Sequence, residues 1–271
     1  MDQRPIGVFD SGLGGLTAAK TLEEILPGEN LIYFGDSRNA PYGTRPRHEL
    51  ARLACANAAF LRSFDCKAVL VACGTVSSNV MDVLAGANPG LPLFGVLDAP
   101  CAKAAACSPG GRIAVAATEA TVRSGAFAAA LRERRPDAQI FSKPCQSLVA
   151  LSERGCFSAD DPEACAAVAA EFAEIRDWRP DTLLLACTHF PLFRECIAQY
   201  MGPDVALLSV GEETARALKT ALAERRALAE RERGERRWFT SGSPAEFERL
   251  GAVFLGHAIE AEQHIHAQEI I

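Results

Sequence analysis

Val69-Leu-Val-Ala-Cys-Gly-Thr75 and Leu183-Leu-Leu-Ala-Cys-Thr-His189 read almost alike. Each is a short apolar run that ends in a cysteine with a threonine within two residues. A run apolar at every position predicts a strand buried on both faces, as in a parallel sheet covered by helices. Cys73 and Cys187 then stand at strand carboxyl ends, where open α/β sheets bind their ligands. If two such half-units face one another across a cleft, a small molecule between them meets one thiol on each side. That arrangement suits removal of a proton from one face of a carbon and its return to the other.

The same alternation extends outward in both directions. Residues 6–9 predict a strand that stops at Asp10-Ser-Gly-Leu-Gly-Gly15, and Leu16, Ala19, Leu22 and Ile25 then recur at helical spacing until Pro27-Gly28. Further strands are predicted at 31–34, 68–72, 93–96, 112–117, 139–142, 182–186, 205–210 and 237–240. Helices are predicted at 47–63, 98–107, 120–134, 162–175 and 212–231, with another beginning near Pro244. The fold class is therefore α/β: two similar domains with mainly parallel sheets covered by helices, and an active site in the cleft between them. No low-complexity linker divides the chain. The predicted crossings, near 96–99 and 207–211, give a discontinuous first domain of residues 1–97 plus 208–271 and a second of 98–207.

Composition narrows the function classes. Of 271 residues, 49% are hydrophobic and 23% charged, and the apolar runs fall far short of the roughly 20 residues a bilayer span needs. Met1-Asp-Gln-Arg-Pro5 leads directly into the first strand without an apolar secretory core, so a cytoplasmic protein with no membrane contact is expected. The ten cysteines are scattered through a large α/β pattern, which predicts reduced thiols rather than a disulfide framework. A net charge of −6 argues against direct nucleic-acid binding, which needs a cationic surface. The tract 224–237 mixes both signs at helical spacing and reads as a solvated helix face.

Several polar residues fall on the ligand side of the predicted strands. The Asp10 loop ends a strand and opens a helix, where free N–H groups favour an anion. It lacks the G-x-G-x-x-G spacing, so a carboxylate suits it better than a nucleotide phosphate; alternatively its glycines only make a tight turn that Asp10 caps. Pro41-Tyr-Gly43 follows the second strand, and its hydroxyl and backbone groups can hold a small polar molecule or simply form a rigid turn. His189, two residues beyond Cys187, is placed to polarise that thiol or to serve as a structural group. Cys187 and His189 supply only two ligands, too few for a closed metal site, so no metal is expected.

Taken together, these residues resemble the glutamate racemases of the cofactor-independent aspartate/glutamate racemase superfamily. The matching segments are Gly7-Val-Phe-Asp-Ser-Gly-Leu-Gly-Gly15, Tyr33-Phe-Gly-Asp36, Pro41-Tyr-Gly-Thr44, Val71-Ala-Cys73, Thr118-Glu-Ala-Thr-Val-Arg-Ser-Gly125, Ala186-Cys-Thr-His-Phe-Pro191 and Phe239-Thr-Ser-Gly242. The resemblance implies that Cys73 and Cys187 are the acid/base catalysts, Asp10 assisting the first and His189 the second. It places Ser11, Tyr42, Gly43, Thr75 and Thr188 on the substrate, with Thr118 and Thr121 in support and Glu153 near His189. It implies no cofactor, L- and D-glutamate as the small-molecule substrate, supply of D-glutamate to bacterial peptidoglycan, and leaves a homodimer open.

One departure bears on substrate. The family usually has Asn after the first catalytic cysteine, and this chain has Gly74. Loss of that amide is expected to open room beside Cys73 and weaken glutamate binding, with Gly74→Asn improving kcat/KM if the loop accepts it. Gly74 also keeps open a racemase, isomerase or decarboxylase of another small acidic substrate. A non-catalytic interaction protein is the other class, since some family members affect DNA gyrase, but retention of both cysteines argues for chemistry.

Overall fold

The structure, a computed structural model, describes residues 2–266. In chain order the strands are Ile6–Asp10 (β1), Leu31–Gly35 (β2), Ala68–Val71 (β3), Leu93–Gly95 (β4), Arg112–Ala117 (β5), Gln139–Pro144 (β6), Thr182–Leu185 (β7), Ala206–Ser209 (β8), Arg236–Thr240 (β9) and Ala261–Gln263 (β10). The helices are Leu16–Ile25 (α1), Arg47–Arg62 (α2), Gly74–Asn79 (α3), Met81–Ala87 (α4), Asp98–Cys107 (α5), Glu119–Ser124 (α6), Ala126–Arg134 (α7), Ser147–Glu153 (α8), Pro162–Trp178 (α9), Arg194–Met201 (α10), Val210–Glu224 (α11) and Pro244–Leu255 (α12). Two sheets result, β10-β9-β2-β1-β3-β4 and β6-β5-β7-β8, and every pairing in both is parallel.

Period-two alternation sends successive side chains to opposite faces, and both faces are covered. On the shared side, Val8, Tyr33 and Leu70 of the first sheet and Val115 and Leu184 of the second join one core with Leu16, Leu22 and Leu218 of α1 and α11. On the outer side of the first sheet, Phe9, Phe34 and Val71 pack against Leu50 and Leu53 of α2. Leu183 and Leu185 do the same for the second sheet against Phe172 of α9 and Ile197 of α10. Helix α11 contacts both α1 and α5, so the return of the chain ties the two sheets together.

Two predicted elements are corrected. The helix expected at 120–134 is two helices, because Gly125 adopts a left-handed conformation (φ 69°) between α6 and α7. The helix expected to reach Arg231 stops at Glu224, so the tract 224–237 is not a helix face. Competing tertiary hydrogen bonds account for this. Glu29 Oε1 accepts from the Ala229 N–H at 2.8 Å, Lys67 Nζ donates to the Ala227 carbonyl at 2.7 Å, and Arg231 Nη1 donates to Asn30 Oδ1 at 2.8 Å. These bonds outweigh exposed i,i+4 pairs worth about 0.2–0.5 kcal/mol each. All ten cysteines are free. Among the described residues, no helix is long and apolar enough to cross a membrane.

Candidate active site

In the first sheet β1 lies between β2 and β3, so the chain leaves β1 towards one side and returns on the other. The carboxyl ends of β1 and β3 therefore flank a crevice at a topological switch point. Asp10 ends β1, Ser11 follows it, and Cys73 lies two residues past β3. The second sheet repeats the arrangement with β5 between β6 and β7. Thr118 follows β5, and Cys187 lies two residues past β7. The Ala72 N–H bonds to the Phe9 carbonyl at 2.9 Å, and the Ala186 N–H to the Ala116 carbonyl at 2.8 Å. The same ladder position thus precedes each cysteine.

The two crevices open onto one cavity of about 40 Å³. The first sheet's side contributes Ser11, Cys73, Gly74 and Thr75, together with Tyr42 and Gly43 from a 3-10 turn after β2. Thr118, Thr121, Cys187, Thr188 and His189 come from the second. Threonines meet across the gap: Thr75 Oγ1 and Thr118 Oγ1 are 3.3 Å apart, and Thr118 Oγ1 bonds to Thr121 Oγ1 at 3.0 Å. Asp10 and Glu153 do not line this cavity. Asp10 is fully buried behind it, and Glu153 lies in the wall of a neighbouring cavity of about 720 Å³ that shares Pro41, Gln146 and Val149. Gln146 and Val149 were not singled out from the sequence. Gln146 sits two residues past β6, so the strand-end rule that found the cysteines also points to it.

The two thiols have different surroundings. Burial and then the neighbouring Asp10 charge push the Cys73 thiol up to about 12, against the opposing Val76 N–H, Ser11 hydroxyl and Thr75 N–H. Asp10 is itself raised by burial, in spite of the His189 charge and the N–H groups around it. Its Oδ2 accepts from the Gly15 N–H at 3.0 Å and the Gly12 N–H at 3.2 Å, so the carboxylate does shape the glycine turn. Its Oδ1 is buried with no hydrogen-bond partner. At the other thiol, Cys187 Sγ lies 3.7 Å from His189 Nδ1, and Glu153 Oε1 lies 3.5 Å from Nε2 on the far edge of the ring. Burial presses the His189 pKa down, but the Cys187 sulfur beside Nδ1, the Glu153 carboxylate near Nε2 and the Asp10 charge prevail and raise it to about 10, although Nε2 itself has no hydrogen-bond partner. These surroundings favour the protonated imidazole, which lies between the Cys187 sulfur and the Glu153 carboxylate.

Two site residues differ from their expected settings. The Tyr42 hydroxyl is committed inside the protein: it donates to Asp36 Oδ2 and accepts from Asn57 Nδ2 at 3.0 Å, leaving the ring to wall the cavity. The room expected beside Cys73 is absent. A β-carbon on Gly74 would stand 2.7 Å from the Ala186 carbonyl oxygen, a backbone atom at the end of β7 that cannot swing aside. Gly14 has a matching role, since a β-carbon there would collide with Thr188 Oγ1 and the His189 ring. These glycines allow loops of the two halves to touch beside the thiols.

Comparison with known proteins gives the arrangement a context. The family model described as Asp/Glu/Hydantoin racemase matches residues 9–218. The glutamate racemase of Symbiobacterium thermophilum is 39% identical over 97% of this chain and 95% of its own length, and that of Geobacter metallireducens 37% identical over 94% of each. Among solved structures, glutamate racemase from Bacillus anthracis superposes with a TM-score of 0.92 at 33% identity, over 98% of both chains. The Francisella tularensis glutamate racemase, solved in complex with D-glutamate, gives 0.90 at 31% identity over 100% of both. With agreement running from the first strand through the return helix, the chain belongs to the Asp/Glu/Hydantoin racemase family.

Proposed function

We propose that this protein is a glutamate racemase that interconverts L- and D-glutamate by two-base proton transfer between Cys73 and Cys187. The observation that carries the reading is that thiols from the switch points of two separate sheets line a single cavity. An α-proton is weakly acidic, and a free thiol is only a few per cent thiolate near neutral pH. The site must therefore tune its thiols and stabilise charge that develops at the α-carbon.

For L-glutamate, Cys187 removes the α-proton as thiolate, the electron pair stays on the carbon, and the Cys73 thiol protonates the opposite face. For D-glutamate the roles reverse. The elevated Cys73 pKa suits the acid role, and the His189 cation stands where it neutralises charge on the Cys187 sulfur. When Cys73 acts as base, the unpartnered Oδ1 of Asp10 is the nearby acceptor we assign to its proton. Ser11, Thr75, Thr118, Thr121 and Thr188, with backbone groups at Gly43 and Gly74, are assigned to the substrate's carboxylates and ammonium. Tyr42 contributes its ring, and Glu153 holds His189.

The same reading has residues 1–97 plus 208–271 and residues 98–207 acting as two domains. It also places the enzyme in the cytoplasm, supplying D-glutamate for peptidoglycan without a cofactor; a homodimer is tested by sedimentation. The deciding experiment incubates chelator-treated, cofactor-free protein with each enantiomer of glutamate and of aspartate in deuterated water. Loss of optical rotation with α-deuterium incorporation from both glutamate enantiomers is expected. Full dependence on an added cofactor, or turnover of aspartate alone, would overturn the proposal.

A further inference from the structure

Tyr42 belongs to a buried chain of side chains that the proton-transfer chemistry does not use. Its hydroxyl bonds to Asp36 Oδ2 on one side and to Asn57 Nδ2, at 3.0 Å, on the other. Asn57 Oδ1 lies 2.9 Å from His266 Nε2. Asp36 also accepts from Ser241 Oγ at 2.6 Å and from Asn39 Nδ2 at 3.0 Å. Asp36, Tyr42, Asn57, Ser241 and His266 are all buried.

The polarity of this chain follows from its fixed end. A carboxylate only accepts, so Tyr42 must donate to Asp36. The Tyr42 oxygen is then left to receive a donor, which turns the Asn57 amide so that Nδ2 faces it. Asn57 Oδ1 consequently faces His266, which must donate through Nε2–H. Four side chains from three parts of the fold, the loop after β2, helix α2 and the segment after β10, thus form one directed run, from the end of the described chain to the turn that walls the catalytic cavity. The histidine is held by more than this bond. After β10 the His264 N–H bonds to the Thr240 carbonyl at 2.8 Å, the His264 ring stacks on Phe60 at 3.9 Å, and the His266 ring meets Phe34 edge-on at 5.3 Å.

On the racemase reading of this cavity, we propose that His266 is a positioning residue: through Asn57 it fixes the Tyr42 ring, and with it the Pro41–Gly43 wall beside Cys73. The small cavity makes that wall consequential, because displacing a reacting group by about 1 Å can cost 10²-fold in rate. A purely structural strap would affect stability without affecting turnover of the folded enzyme.

The test uses the full chain with His266→Ala, His266→Gln and Tyr42→Phe, singly and combined. It measures kcat and KM for both glutamate enantiomers, melting temperature, and amide hydrogen exchange across residues 36–44. Loss of one neutral hydrogen bond predicts that His266→Ala lowers kcat about 3- to 10-fold, with KM moving less, and speeds exchange at 36–44. His266→Gln, which keeps a donor, should recover most of the rate. In the Tyr42→Phe background, where the run is already cut, adding His266→Ala should change kcat by less than about 2-fold. Unchanged kcat and unchanged exchange in His266→Ala, or an equal loss in both backgrounds, would overturn the assignment. If His266→Ala does not fold, His266→Asn, too short to span the gap, is read in the same way. Should the wild-type protein not racemise glutamate, the functional reading fails while exchange at 36–44 still decides whether His266 controls the turn.

Discussion

Gly74 shows how one missing side chain sets the spacing of a whole site. The Ala186 carbonyl occupies the space a β-carbon would need, so the glycine is a point of contact between the halves and not a vacancy. Gly74→Asn is therefore expected to lower kcat/KM for glutamate, reversing the gain that sequence comparison suggests, and Gly74→Ala should already lose part of it. Steady-state kinetics on both variants check this; an Asn variant faster than wild type would mean that the halves yield easily. Cys73→Ser and Cys187→Ser should each lower net racemisation by about 10²- to 10⁴-fold, with α-hydrogen exchange surviving from at most one enantiomer. A single variant that racemises at the wild-type rate is incompatible with two bases. His189 makes a pH-dependent contribution to stability. Because the fold raises its pKa from 6.5 to about 10, that contribution is complete below pH 6.5 and is lost as pH rises through about 10. The urea-midpoint difference between wild type and His189→Asn should shrink across that interval. A difference that grows there would contradict the cationic assignment.

At the scale of elements, the buried strands were legible because a parallel sheet covered on both sides leaves an unbroken apolar run. Helix α1 was legible from the helical spacing of Leu16, Ala19, Leu22 and Ile25, while the start of α9 is fixed by Asp161, whose side chain accepts from the Glu163 N–H at 2.8 Å ahead of Pro162. Helix α3 was not legible, since Gly74-Thr-Val-Ser-Ser-Asn79 has poor helix formers and no apolar stripe; tertiary packing beside Cys73 imposes it. The segment after α11 misled for the opposite reason. Its charge pattern suits a helix, but the Lys67 and Glu29 side chains, almost fully buried and 2.5 Å apart, take up its backbone groups instead. That pair holds the amino-terminal side of the first sheet against the return segment. Lys67→Met should destabilise the protein by about 3–5 kcal/mol, because it strands Glu29 without its cation. Denaturant unfolding measures this, and a loss below about 1 kcal/mol would show that the segment is held by other contacts. In the site, the cysteines and the Asp10 turn could be read because they repeat or carry a distinctive spacing. The commitment of the Tyr42 hydroxyl to Asp36 and Asn57 could not, since those partners come together only through folding.

For the molecule as a whole, the catalytic cavity lies where the two halves meet, so a ligand in it touches residues of both. A ligand held between residues of both halves binds the folded state alone, so either glutamate enantiomer should stabilise the protein, by about 2.7 kcal/mol at a hundred times its Kd. Thermal unfolding with and without ligand tests this in wild type and in Cys73→Ser, where binding should outlast catalysis. No shift with either enantiomer at saturating concentration would remove glutamate as the substrate.

The unlike settings of the two thiols, one beside a sealed carboxylate and the other beside a histidine whose carboxylate partner reaches a second cavity, have a thermodynamic consequence. The substrates are mirror images of equal free energy in water, so their equilibrium constant is unity whatever surrounds each sulfur. The lopsided site can make one direction turn over faster at saturation only by holding that substrate less tightly, in the same proportion. Every substitution on either side obeys that constraint, including those that seem to touch one thiol alone: handedness of the protein can be spent on speed or on grip, never on the position of balance.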